Sequence, residues 1–512
     1  MANRDSDASS TSTYFFDRRE AGGLRPSTGR TPVPSANKAV RPPTIAGRTT
    51  ATSTTLGSSM KTFPMWLLGV VLTAGMMPAL AGSPVLDPGQ KGPYAVGFAT
   101  DTISDENRGA PPGRQIPVYV WYPVDPADVD GAARANYPMD PFWGYVPAKS
   151  SLIFEEYGLD AAYDAPPVSS KKPFPLVIFS PGWGGAAWHN VSTATRLASH
   201  GFVVAVLYHY GDRVWPWEFR SPLAGAAWHR PRDMSFALDV LLMANDMPEH
   251  LLGGAIRPDQ VAAAGYSLGG YAAMVLGGAG ENNVCRVFPT SNRGFCEPTD
   301  PDPRIKAIVS FSPASFILDW SELAQIRVPS IILNEEWDLL AATSWIGPDE
   351  HARAHAAIQG KPSYRADIFG TNHSSFADTC EFLSLMHDDP DIQNLMPVDD
   401  DDIEFVCVGD QWTSTPSTVA MPIVNKYAVA FLKTVLAREQ GYQDMLTPAW
   451  ALKREPLVEF FVTEKRNPNA VKDDPGFGAY YLYFPHQPGS EQARGKKDPS
   501  VKPILQRGFT PR

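Results

Sequence analysis

Val261-Ala262-Ala263-Ala264-Gly265-Tyr266-Ser267-Leu268-Gly269-Gly270-Tyr271-Ala272-Ala273-Met274 joins two structural patterns across a single serine. The first four residues are a short continuous apolar run, the mark of a strand buried on both faces. From Leu268 onward the stretch reads as the opening of a helix. Between them the chain must turn sharply. Glycines at positions 265 and 269 let strand and helix approach while the hydroxyl of Ser267 stays accessible at the turn. A Gly-x-Ser-x-Gly match alone is weak, but a strand before it and a helix after it make Ser267 a candidate nucleophile.

Working outward from this turn, strand and helix signals alternate. Residues 93–100 and 115–122 alternate apolar with small or polar side chains and predict an opening antiparallel hairpin. Residues 175–179 form a continuous apolar run where a parallel sheet begins. A helix over 186–200, a strand over 202–207 and a helix over 231–244 lead to the strand 260–264. Strands over 305–311, 330–333 and 365–369 and a last helix over 424–439 follow. Such alternation predicts an α/β chain with a mostly parallel central sheet and helices on both faces. Together with the serine turn it predicts the α/β-hydrolase fold over residues 88–442, with loop insertions at 210–229 and 282–304. Residues 443–512 read as a largely irregular extension, and from 484 onward as a tail.

A serine hydroxyl is a poor nucleophile until a base takes its proton, and in this fold the base lies on a loop after a late strand. Of ten histidines, His373 in Gly370-Thr371-Asn372-His373-Ser374-Ser375-Phe376 has that place. His200 sits beside a helix end, and His209 and His229 precede the serine. The carboxylate that orients the imidazole belongs just after a strand between serine and histidine. Asp338, past the run 330–333, fits; Asp319, Glu335 and Glu336 are its rivals. An oxyanion on the substrate needs two backbone donors. Leu268, following the nucleophile, supplies one N–H, and Trp183 in Ser180-Pro181-Gly182-Trp183-Gly184-Gly185 is the candidate for the other. Trp183 and Tyr266 are the candidate substrate-contacting side chains.

Composition narrows the remaining classes. Hydrophobic content of 43% is ample for a large core, and a net charge of −11 with no basic cluster in the presumed domain argues against nucleic-acid binding. Residues 60–81 read as a secretory signal: Met60 and Lys61, an apolar run, then Ala79-Leu80-Ala81 before Gly82. That run is short for a membrane span and carries Pro64 and Pro78, so no stable span is expected after cleavage. Residues 1–59 lack apolar periodicity and are expected to be disordered, with Met60 the simplest site of the true start. In an oxidising compartment the four cysteines would pair locally, Cys285 with Cys296 and Cys380 with Cys407, as loop staples. The run Asp399-Asp400-Asp401-Asp402 reads as a solvated loop rather than a calcium site, and no metal ligand set is assigned.

Three segments carry a resemblance to a known group. They are Phe179-Ser180-Pro181-Gly182-Trp183-Gly184 with Leu197-Ala198-Ser199-His200-Gly201-Phe202-Val203-Val204, then 265–270, then 373–378. Here the chain resembles bacterial polyester hydrolases and cutinases, dienelactone-hydrolase-like proteins and the platelet-activating-factor acetylhydrolases, over roughly residues 93–437. In the polyester hydrolases an aromatic residue matching Trp183 gives the second oxyanion donor and lines the cleft, and Asp338 matches the position of their acid. In the platelet-activating-factor relatives the acid follows an earlier strand, and the matching place near Phe311-Ser312 lacks a carboxylate. Dienelactone hydrolases carry cysteine where this chain has Ser267, which disfavours a dienelactone substrate. The segment Val214-Trp215-Pro216-Trp217 has no counterpart in the group and reads as a lid, a substrate wall or a patch under a loop.

The expectation is therefore an exported, monomeric serine hydrolase, secreted or periplasmic, acting on a small-molecule, lipid or polymer ester without a cofactor. A peptidase or amidase with the same triad, and a non-catalytic binding protein on the same fold, are the alternatives.

Overall fold

The computed structural model describes residues 85–109, 113–129, 161–163, 165–167, 173–185, 187–213, 218–219, 222–280, 284–335, 348–378 and 417–466, with single residues 380, 387, 400 and 415. The chain divides into Met1–Leu80 and Ala81–Arg512, and every described residue belongs to the second. The signal segment, the disordered leader expected before it, Trp215, Asp338 and Cys407 lie outside the described residues.

Two long strands open the sheet, β1 (Ala95–Asp105) and β2 (Arg114–Val124), paired antiparallel from Ala95 opposite Val124 to Asp105 opposite Arg114. A two-residue β3 (Ala162–Tyr163) runs parallel to β1. The apolar run that announced a parallel sheet is β4 (Phe174–Ser180), buried at every position. Helix α1 (Val191–Ser199) leads to β5 (Val203–Leu207), and a small ribbon, β6 (Asp212–Arg213) with β7 (Glu218–Phe219), precedes α2 (Leu223–Asn245). Then come β8 (Ile256–Tyr266), α3 (Leu268–Leu276), β9 (Ile305–Phe311), α4 (Trp320–Leu323), β10 (Ser330–Glu335), α5 (Pro348–Ala357) and β11 (Ser363–Ile368). The chain closes with α6 (Ser417–Val435), α7 (Pro448–Arg454) and β12 (Val458–Thr463).

Ten strands form one sheet in the order β12-β11-β10-β9-β8-β4-β5-β2-β1-β3, in which β4, β5, β8, β9, β10 and β11 are mutually parallel. Alternate side chains face opposite layers, as the period of two requires. Val177, Phe179, Ala262, Ala264 and Val309 meet α1 and α6 on one face, while Leu176, Ile178, Val261, Ala263 and Ile308 meet α2, α3 and α5 on the other. Each fully buried Val, Leu, Ile or Phe side chain in these layers contributes about 1.5–3 kcal/mol. This is the α/β-hydrolase fold expected from the sequence, and its parallel strands deliver their carboxyl ends to one edge, where ligands bind in open α/β sheets.

Two elements differ from the sequence reading. Helix α2 begins at Leu223 and keeps Pro231 in its interior, although a proline favours the first turn. Ala224, Gly225, Ala226 and Ala227 are buried, and packing of that small-residue turn outweighs the one backbone bond that Pro231 cannot make. The expected irregular extension beyond 442 is corrected as far as Thr463. There α7 and β12 continue the domain, and β12 pairs antiparallel with β11, with Val458 and Phe460 in the core.

Candidate active site

Strand β8 ends at Tyr266, and Ser267 takes φ 55° and ψ −119°, a region that L side chains rarely occupy. Its backbone is held there on three sides. Its N–H donates to the Phe311 carbonyl at 2.9 Å, and its carbonyl accepts from Ala314 at 2.9 Å and Tyr271 at 3.2 Å. The hydroxyl makes no capping bond to α3, although serine commonly caps a helix from this position. Close approach explains the flanking glycines. A methyl carbon on Gly269 would stand 1.9 Å from the Ser180 carbonyl oxygen, and one on Gly265 would stand 2.2 Å from that of Gly269. Among the described residues only Ser267, Ser312 and Arg438 are non-glycines with positive φ. Two of the three lie at this sheet edge, where such strain commonly marks function.

After β4 the chain turns through Pro181 and Gly182. A Cβ on Gly182 would come 2.9 Å from the Tyr266 ring and 3.4 Å from Ser267 Cβ, so this turn lies against the serine. The amide of Gly185 closes the turn on the Gly182 carbonyl at 2.9 Å, and the Trp183 side chain is 46% exposed. Leu268 heads α3, and the first N–H groups of a helix lack acceptors within the helix.

His373 opens a short turn, His373–Phe376, capped by Asn372, whose side chain accepts from Ser375 N–H at 3.1 Å. Tyr266 steadies it twice: its hydroxyl donates to the His373 carbonyl at 3.0 Å, and the two rings lie 4.9 Å apart. The imidazole Nδ1 sits 2.5 Å from Ser312 Oγ, and Ser312 Oγ donates to Glu335 Oε1 at 2.8 Å. Nδ1 is itself 3.7 Å from Glu335 Oε1. Because the Ser312 hydrogen goes to the carboxylate, its oxygen accepts from Nδ1–H, which turns Nε2 to the far side of the ring. Glu335 is fully buried at the end of β10. Burial alone pushes its carboxyl up, but the neighbouring His351 and His373 imidazoles outweigh this and hold it below the usual carboxylate range.

The structure thus brings Tyr266, Ser267, Leu268, Gly182 and His373 to one edge of the sheet. Of the rival acids, Asp319 is a helix cap: it accepts from Glu322 N–H at 2.9 Å and pairs with Arg286. Glu335 is the carboxylate that the described residues place behind His373, while Asp338 and Glu336 lie outside them. Ser312 carried no sequence signal beyond its place at a strand end. Nor did His209, which is buried between Ser180 Oγ at 2.8 Å and Asp233 at 2.9 Å. Cys285 and Cys296 are disulfide-bonded across eleven residues, and Cys380 is disulfide-bonded too.

Residues 82–215 match the model of the family described as platelet-activating factor acetylhydrolase, isoform II, a stretch that includes the turn after β4 and stops before Ser267. No curated protein matches the sequence. Among solved structures the chain is similar to a ferulic acid esterase from Streptomyces cinnamoneus, at 18% sequence identity over 72% of this chain and 97% of that one, with a TM-score of 0.47.

Proposed function

We propose that this chain is a serine hydrolase of carboxylic esters with Ser267 as its nucleophile. The observation that carries the reading is the backbone of Ser267, held at φ 55° between β8 and α3 with its hydroxyl unused by the helix cap. In this reading His373 Nε2 takes the Ser267 proton as Oγ attacks the ester carbonyl. The N–H groups of Leu268 and Trp183 stabilise the oxyanion, the alcohol leaves with the proton from His373, and water repeats the sequence to release the acid. The acetylhydrolase family match over 82–215 supports an ester as the substrate class. Export through residues 60–81 belongs to the same proposal and is in keeping with the disulfides.

Orientation of the imidazole falls to a carboxylate at the end of β10. The chain Nδ1–H to Ser312 to Glu335 supports Glu335, and Asp338, three residues on, remains the acid that the sequence pattern favours. Labelling with a fluorophosphonate, located by peptide mass, and hydrolysis of p-nitrophenyl esters by Ser267→Ala test the whole. Covalent label on Ser267 and loss of all but background turnover are expected; full activity in Ser267→Ala rejects the reading. Parallel amide substrates decide the bond, because the triad is common to esterases and amidases.

A further inference from the structure

Behind the turn after β4 lies a second set of catalytic residue types, buried in the interior. Ser180, His209 and Asp233 are fully buried and hydrogen-bonded in series: Ser180 Oγ to His209 Nε2 at 2.8 Å, His209 Nδ1 to Asp233 Oδ2 at 2.9 Å. Asp233 is grasped by the fork of Arg114, with both bonds at 2.7 Å, and stays ionised. An ionised carboxylate only accepts, so His209 carries its proton on Nδ1 and accepts the Ser180 hydroxyl hydrogen on Nε2. The Ser180 oxygen is then left facing a donor, and that donor is Arg230, at 3.0 Å.

Arg230 is completely buried in α2, and its two terminal nitrogens bond three successive residues of one turn. Nη1 donates to Ser180 Oγ and to the Pro181 carbonyl, and Nη2 donates to the Gly182 carbonyl at 2.8 Å. In a planar trans peptide the C=O and N–H point in opposite directions. Fixing the Gly182 oxygen on an interior guanidinium therefore aims the Trp183 N–H away from that guanidinium, in a turn that lies against Ser267. We propose that Arg230 is a positioning residue: its buried guanidinium, fixed on the Pro181 and Gly182 carbonyls, presets the Trp183 amide as an oxyanion donor. The proposal rests on the esterase reading above.

Arg230→Lys keeps the charge but replaces the planar fork by a single ammonium that cannot meet the same carbonyl pair in the same geometry. It is expected to lower kcat for p-nitrophenyl acetate about a hundredfold, the loss of one oxyanion donor, with KM changed less than about threefold. The inhibition constant of an aryl boronic acid, which forms a tetrahedral adduct on the serine, should rise in step with the fall in kcat. A purely structural role would reduce the number of sites titrated to completion by fluorophosphonate and leave boronic acid affinity unchanged, which would overturn the proposal. So would full kcat/KM in Arg230→Lys. Ser180→Ala gives an arm independent of whether Arg230→Lys folds. It spares both carbonyl bonds, so activity within about threefold of the parent is expected, and a hundredfold fall would move the anchor from Arg230 to the Ser180–His209 pair. Parent enzyme that takes no fluorophosphonate on Ser267 marks failure of the esterase reading instead.

Discussion

At the scale of single residues, the site turns on what stands behind His373. Ser312 accepts from Nδ1 and passes its own hydrogen to Glu335, so a hydroxyl separates base and acid where most triads have direct contact. Two consequences differ in size. Glu335→Gln removes the charge that stabilises the imidazolium, and kcat is expected to fall about 10³–10⁴-fold, as loss of a triad carboxylate does. Ser312→Ala removes two hydrogen bonds, one of them to the ionised carboxylate, but leaves Nδ1 near Glu335, so a smaller fall of about ten- to a hundredfold is expected. Steady-state ester hydrolysis by both variants and by Asp338→Asn decides the acid: a larger loss in Asp338→Asn than in Glu335→Gln would transfer the role to Asp338. The ambiguity has a physical source. Glu335, Glu336 and Asp338 crowd one strand end, and which of them points inward depends on where β10 stops pairing, which no side-chain type announces. Ser267 and His373 stood out because glycine spacing and loop position constrain them; Ser312, His209 and Arg230 act through contacts between distant segments, and sequence carries no trace of those.

At the scale of elements, the decisive contact is between the serine turn and the turn after β4. Gly269→Ala sets a methyl carbon against a backbone oxygen, Ser180 O, that no side-chain rotation can relieve. Overpacking of this kind destabilises by about 1–3 kcal/mol, and a displacement of the elbow by about 1 Å costs about a hundredfold in kcat. Urea unfolding and ester kinetics on one Gly269→Ala preparation measure both, and a fully active, fully stable variant contradicts the packing described. The parallel strands were legible because burial on both faces makes continuous apolar runs. Strand β12 was not, because its partner β11 lies ninety residues earlier and its identity as a strand comes from that pairing. A chain ending at Arg454 loses Val458 and Phe460 from the core, about 1.5–3 kcal/mol each, and bares β11 as an edge. Lower soluble yield and a lower denaturation midpoint are expected; an unchanged midpoint would show that β12 is dispensable.

At the scale of the whole molecule, the interior holds histidines that folding keeps neutral. Burial lowers His200 to about 4, and His209 and His355 to about 3, from an ordinary 6.5. All three are nearly inaccessible. The sign follows from which state binds protons first. As pH falls below 6.5 the unfolded chain protonates these rings while the folded chain does not, so the stability they represent is complete above that value and drains away towards pH 4. Each contributes a slope of up to about 1.4 kcal/mol per pH unit, and three together about 4, against a total of about 5–15 kcal/mol for a folded domain. Asp233 and Glu335, whose carboxyls are held low, extend the loss in the same direction at still lower pH. Urea midpoints measured at pH 7.5, 6 and 5 should therefore fall steeply below 6.5, and His355→Gln, which can still donate towards the Ser363 carbonyl, should reduce the loss of stability by up to about 1.4 kcal/mol per pH unit. A midpoint independent of pH between 7.5 and 5 would mean that these rings exchange protons with solvent in the folded state.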